Sequence, residues 1–155
     1  MSLSSQLSLI LRDLAADKDC VVLLAGASAI AACASAHNTR SVILTTPLPI
    51  TQLYDLPQFD LAIISDLIDA TDKTTVIQWL SRLRHCHTPH LLLMVPVPYP
   101  SDWQLCDFLS LGMEKMAEDT HMQLFSYQIE YYRSKHDWLN SKYWAHPENY
   151  DKYRW

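Results

Sequence analysis

Short apolar blocks separated by polar turns run the length of this chain. Residues 3, 7, 10 and 14 are apolar at helical spacing, which predicts an amphipathic first helix. Four later apolar runs predict strands, and two of them, at 20–24 and 61–64, are apolar throughout, which is typical of strands covered on both faces. These runs are residues 20–24, 41–44, 61–64 and 90–95. Residues 120–129 alternate more, so we expect a less buried, antiparallel edge strand there.

Helical patterns fill the intervals between the apolar runs. Small residues dominate 25–36 and would let a helix lie close to the sheet. Thr71 or Asp72 can cap a helix with an apolar stripe at Val76, Trp79, Leu80 and Leu83. Ser101 can cap another helix, with an apolar side at Trp103, Cys106, Leu109 and Met113. Alternating strands and helices predict an α/β fold: a Rossmann-like, mostly parallel sheet with helices on both faces.

Bulk properties narrow the class of protein. The length of 155 residues suits one domain, and we divide it into a fold over residues 1–130 and a tail over 131–155. No apolar run is long enough to span a bilayer, and the N-terminus lacks the pattern of a secretion signal, so we expect a cytoplasmic protein with no membrane contact. The formal net charge of -5 argues against a nucleic-acid partner.

The cysteine and histidine residues are the candidates for redox and metal chemistry. Cys20, Cys33, Cys86 and Cys106 show no paired spacing, so we expect free, mostly buried thiols. Residues 85–90 gather three histidines and one cysteine, which are zinc-ligand types, but their spacing fits no structural zinc site. We read His85 and His87 as part of a helix end, where a cation favours the terminal carbonyl groups, and predict no metal.

The tail holds half of the chain's aromatic residues, interleaved with Lys and Arg. Our first interpretation is a latch that packs Trp138, Leu139, Tyr143 and Trp144 onto the same domain. A protein-binding surface is the second interpretation. Stacking on single-stranded nucleic acid is the third.

Ligands of parallel α/β sheets bind at the carboxyl ends of strands, near the point where strand order reverses. In this chain a nucleotide-like ligand would meet Ala25, Gly26, Thr45 and Asp66. Asp66 either orients that ligand or accepts hydrogen bonds from backbone N–H groups in its own strand-to-helix loop. Both roles stay open at this point.

Residues 59–70, FDLAIISDLIDA, precede an amphipathic helix and the run LLLMVP at 91–96. This order resembles the fourth strand, helix and fifth strand of the class I S-adenosylmethionine-dependent methyltransferases. The resemblance implies their fold and S-adenosylmethionine as the possible cofactor. Too little chain lies between Pro47 and Pro57 for the third strand and its helix, so we expect a short version of the fold. Over nearly its full length, through 137–149 (DWLNSKYWAHPEN), the chain also resembles small bacterial proteins of uncharacterised function.

The cofactor motif departs from that family at two places. The turn after the first strand reads AGASA at 25–29, with one glycine where the family has two or three. The second strand ends in Thr45 and Thr46 where the family places an acid that holds the ribose hydroxyls, and a hydroxyl lacks the carboxylate's charge and second oxygen. We therefore predict a non-catalytic binding or interaction module. The alternative is a methyltransferase or other nucleotide-ligand enzyme that uses the same pocket.

Overall fold

The computed structural model describes residues 3–15, 21–34, 40–44, 50–100, 102–132, 146–149 and 152. The strands are β1 (Val21–Ala25), β2 (Arg40–Leu44), β3 (Leu61–Ile64), β4 (His90–Pro96), β5 (Glu114–Glu118) and β6 (Met122–Gln128). The α-helices are α1 (Leu3–Ala15), α2 (Ala27–Cys33), α3 (Leu67–Ala70), α4 (Lys73–Arg82), α5 (Leu105–Ser110) and α6 (Ile129–Tyr132). A π-helix, Leu83–His87, continues α4, and 3₁₀ helices cover Ile50–Asp55 and Pro147–Asn149.

The six strands form one sheet in the order β2-β1-β3-β4-β6-β5. The first four are parallel to one another, whereas β6 runs antiparallel to β4 and β5 antiparallel to β6. The predicted α/β class with a mostly parallel sheet is confirmed. Strand order reverses at β1, which lies between β2 and β3.

Each face of the sheet carries its own core. Alternate strand residues point to opposite faces, so Ile64 and Leu93 pack with Trp79 of α4, whereas Leu24 and Leu92 join the core that contains α1 and α2. Helices therefore cover both faces, as predicted. The stripe of α4 is buried as expected, and Asp72 caps that helix by accepting the Thr75 N–H at 3.1 Å.

The methyltransferase resemblance predicted a shortened region after the second strand. Among the described residues, β2 is followed only by the 3₁₀ helix before β3 begins, and no strand lies between them. Thr45 and Thr46 lie outside the described residues.

The prediction that residues 120–129 form a less buried edge strand is wrong, although the antiparallel direction is confirmed. β6 lies between β4 and β5, and its Leu124 and Phe125 are fully buried. The edge strand on this side of the sheet is β5. Its sequence, EKMAE, contains helix-forming residues and gave no strand signal. The hairpin with β6 fixes its conformation, which is a tertiary effect.

The predicted helix after Ser101 is shorter than its apolar pattern. α5 begins after Gln104, which forms a reciprocal capping box with Asp107. Trp103 and Met113 are buried but lie outside the helix. The cysteine prediction also needs correction: the described Cys33, Cys86 and Cys106 are free, but Cys86 and Cys106 are exposed and Cys33 is half-buried.

Candidate functional site

The candidate site lies where the carboxyl ends of β1 and β3 meet. Ala25 ends β1 opposite Ile64 of β3, and the Ser65 N–H donates to the Ala25 carbonyl oxygen at 2.7 Å. This is the point of strand-order reversal, where ligands of open parallel sheets bind.

Gly26 makes the turn from β1 into α2, and its backbone has a conformation that residues with a side chain rarely adopt. Its φ is 102°, and a Cβ built on it would lie 2.3 Å from both the carbonyl oxygen and the Oγ of Ser65. Both facts require glycine here. The close neighbour that excludes a side chain is the loop after β3, a part of the protein itself.

Ser65 and Asp66 fill the space over the first turn of α2. The buried Ser65 Oγ accepts the Ala29 N–H at 2.9 Å and donates to Asp66 Oδ2 at 2.9 Å. Asp66 accepts the Ser28 N–H at 3.2 Å and lies 3.4 Å from the Ser28 hydroxyl. We call this set, Gly26, Ser28, Ala29, Ser65 and Asp66, the β1–β3 tie.

The tie uses the backbone donors that a ligand would need. The first N–H groups of a helix have no partner within the helix and therefore attract anions or polar ligand atoms. At the start of α2 two of these groups, on Ser28 and Ala29, already donate to Asp66 and Ser65. A ligand that approached these amides would have to displace both side chains.

Asp66 has a left-handed backbone, with φ 57° and ψ 10°, at the start of α3. Aspartate tolerates this conformation better than most residues. In this conformation the Asp66 carboxylate accepts a hydrogen bond from the β1–α2 turn. Of the two roles that the sequence leaves open for Asp66, the structure shows hydrogen-bond acceptance. The backbone donor is Ser28 in the β1–α2 turn, and not a residue of the loop after β3 as expected.

The structure brings together three of the four predicted ligand-binding residues: Ala25, Gly26 and Asp66. Thr45, the fourth, lies outside the described residues. Sequence reasoning did not assign roles to Ser28 and Ser65. A serine directly before Asp66 at a strand end was the available signal, but its partner could be identified only from strand order.

An ion pair joins the start of α4 to the start of α5. Lys73 Nζ lies 2.8 Å from Asp107 Oδ2 and 2.8 Å from the Asp102 carbonyl oxygen. The Lys73 hydrogen bond is the main reason that the pKa of Asp107 is lowered. Asp107 thereby caps α5 as a carboxylate, which is a structural role.

The histidine and cysteine residues near 85–90 do not assemble into a metal site. His85 and Cys86 are exposed, whereas His87 and His90 are buried. His90 Nε2 lies 3.3 Å from Ser126 Oγ and 3.1 Å from Gln128 Nε2, and burial lowers its pKa to about 4. In the part of the chain that the structure describes, no group of three or more metal-ligating side chains is present. Over the same residues, no helix is long and apolar enough to cross a membrane.

Comparison with solved structures identifies the fold. A 1,6-didemethyltoxoflavin-N1-methyltransferase from Burkholderia thailandensis, solved with its 1,6-didemethyltoxoflavin and S-adenosylhomocysteine, is 13% identical with a TM-score of 0.55; the match covers 80% of this chain and 76% of that one. A SAM-dependent methyltransferase from Aquifex aeolicus is 9% identical with a TM-score of 0.51, over 79% and 88% of the two chains. The match to the pyocyanin biosynthetic protein PhzM has 11% identity and a TM-score of 0.53, and covers 76% of this chain but about half, 52%, of that one. The fold is therefore that of the class I methyltransferases.

Sequence comparisons are less informative about activity. No curated protein matches the sequence. One family model matches residues 2–155, and its description is "Family of unknown function (DUF6231)". Because that match covers nearly the whole sequence, the chain belongs to the family of unknown function DUF6231.

Proposed function

We propose that this protein is a non-catalytic binding or interaction module built on a methyltransferase-like fold. The observation that carries the proposal is the β1–β3 tie. Ser65 and Asp66 accept the N–H groups of Ala29 and Ser28, at the strand ends where ligands of open parallel sheets bind. In this domain the turn stabilises the fold instead of holding a ligand.

The residues present do not fit an adenosyl cofactor held in the manner of the family. Gly26 is the single glycine of the turn, and a Cβ at this position would collide with Ser65. The amides of Ser28 and Ala29, two and three residues on, are engaged by side chains. Thr45 and Thr46 supply no carboxylate for a ribose. These features together favour a domain that does not use S-adenosylmethionine.

The second candidate function is an S-adenosylmethionine-dependent methyltransferase or another nucleotide-ligand enzyme. It is favoured by the fold, since the Burkholderia relative was solved with S-adenosylhomocysteine bound. For this function Asp66 would have to turn away from Ser28 and orient the ligand. The two candidates therefore assign opposite roles to one carboxylate.

Calorimetric titration of the full chain with S-adenosylmethionine and S-adenosylhomocysteine tests the proposal. We expect no saturable heat, which corresponds to a Kd above about 1 mM. Stoichiometric binding with a micromolar Kd would refute the non-catalytic assignment.

Asp66→Ala separates the two roles of the carboxylate. If Asp66 belongs to the tie, its loss leaves the Ser28 N–H without an acceptor and the Ser65 hydroxyl with only the Ala25 carbonyl oxygen at 3.5 Å, and the free energy of unfolding falls by about 1–3 kcal/mol in a urea titration. Asp66→Asn keeps one acceptor and tolerates the left-handed backbone, so a smaller loss is expected. Asp69→Ala, at an exposed carboxylate three residues on, is the matched control, with a change within about 0.5 kcal/mol. Unchanged stability in Asp66→Ala would favour the enzyme.

A further inference from the structure

The two edges of the sheet differ in their capacity to pair with another strand. At one edge, β5 carries the exposed charges of Glu114, Lys115 and Glu118, and its pairing with β6 is irregular between Lys115 and Ala117. Charged side chains and bulges are the usual features that prevent edge strands from pairing between molecules. The β5 edge is therefore protected.

The β2 edge has neither form of protection. All five residues of β2 pair with β1 in continuous parallel register, and the single charge, on Arg40, stands at its first position. The Ile43 side chain is 56% exposed. Within the described residues no strand pairs with the outer side of β2, and an edge strand presents N–H and C=O groups to which a further strand can bond.

We infer that β2 pairs with β2 of a second copy of this chain in antiparallel register about a two-fold axis. Centring the axis on Val42 places Ser41 opposite Ile43 and Arg40 opposite Leu44. Each Ile43 then gains a cross-strand neighbour, and the two Arg40 side chains lie at opposite ends of the interface. Parallel pairing in register would place the two arginines side by side, which is unfavourable.

The pairing is isologous and closes at two copies, because each chain offers one such edge. It joins two six-stranded sheets into one. A five-residue strand contributes a small contact area, so we expect an equilibrium dimer with a micromolar Kd and not an obligate one. The inference is independent of the proposed function, since no residue of β2 belongs to the β1–β3 tie.

Sedimentation velocity of the full chain across a concentration series tests the dimer. The wild type should shift from monomer to dimer with a micromolar Kd. Ile43→Lys should weaken association at least about tenfold, because it replaces the apolar cross-strand side chain with a second cation near Arg40 of the other copy. Met116→Lys is the matched control: Met116 is 40% exposed on the opposite edge strand, so this variant should associate as the wild type does. A monomer up to about 300 μM, or equal association of Ile43→Lys and wild type, would overturn the inference.

Hydrogen exchange provides a readout that needs no substitution. Amides of residues 40–44 should exchange more slowly in concentrated than in dilute wild-type protein, whereas those of 114–118 should not change. Equal exchange at both concentrations overturns the inference. If residues 40–44 are then strongly protected even when dilute, a segment of the same chain covers the edge.

Discussion

Ser65 and His90 are two buried polar residues whose side chains have hydrogen-bond partners. Ser65 is fully buried, yet its hydroxyl both accepts and donates a hydrogen bond within the β1–β3 tie. His90 is the second of these two residues and is 8% exposed. Its ring lies between Ser126 and Gln128, and burial holds its pKa near 4, so the ring is neutral at pH 7.

The depressed pKa of His90 predicts acid sensitivity. The unfolded chain binds a proton at His90 near pH 6.5, whereas the folded chain does so only near 4, so its share of stability is present above 6.5 and is lost as pH falls toward 4. The full loss is about 3 kcal/mol from this one group. Urea titrations between pH 7 and pH 4.5 should show a steeper decline for wild type than for His90→Gln. The exposed His121→Gln variant should follow the wild type; a parallel decline in all three proteins would contradict the assignment.

Among the helices, α5 is short, and aromatic contacts hold it in place. Phe108 stacks on Trp103 with ring centroids 5.0 Å apart and on Phe125 at 4.6 Å, and it meets Tyr99 at 5.5 Å. These contacts connect a six-residue helix to the loop after β4 and to β6. A helix this short is marginal alone, so packing must hold it.

Replacing Phe108 with Ala should therefore destabilise the fold by about 3–5 kcal/mol, because the side chain is fully buried and leaves a cavity between two rings. Leu109→Ala is the neighbouring control: that side chain is 52% exposed, and the expected cost is below about 1 kcal/mol. Urea-induced unfolding followed by tryptophan fluorescence measures both. Similar midpoints for the two variants would show that the aromatic cluster does not anchor α5.

At the scale of the whole molecule, the aromatic tail is the largest feature without an assigned role. Most of residues 131–155 lie outside the described residues, so the latch stays a proposal based on sequence. Truncation after Glu130 should expose apolar surface and cause aggregation, measured as increased light scattering at constant protein concentration. A soluble truncated protein with the wild-type unfolding midpoint would instead assign the aromatic residues to a partner.

The sequence predicted the parts of this fold that depend on local pattern. The apolar runs became β1 to β4 within about one residue at each end. β1, β3 and β4 are buried, and strands covered on both faces must be apolar, whereas β2 is a mostly exposed edge strand. β5 was missed, since Lys115, Met116 and Ala117 carry no strand signal and the hairpin with β6 determines their conformation. The site was half predicted: Gly26 and Asp66 were named, but Ser65 as the contact of Gly26 follows from strand order, which local pattern does not reveal.

The close approach of Gly26 to Ser65 also bears on attempts to engineer a cofactor into this scaffold. Enriching residues 25–29 in glycine, the obvious first step, would leave the helix amides engaged, because their acceptors belong to the loop after β3. That loop would have to be rebuilt first. Two segments nearly forty positions apart in the chain are therefore coupled, and substitutions in either should be tested in combination with substitutions in the other.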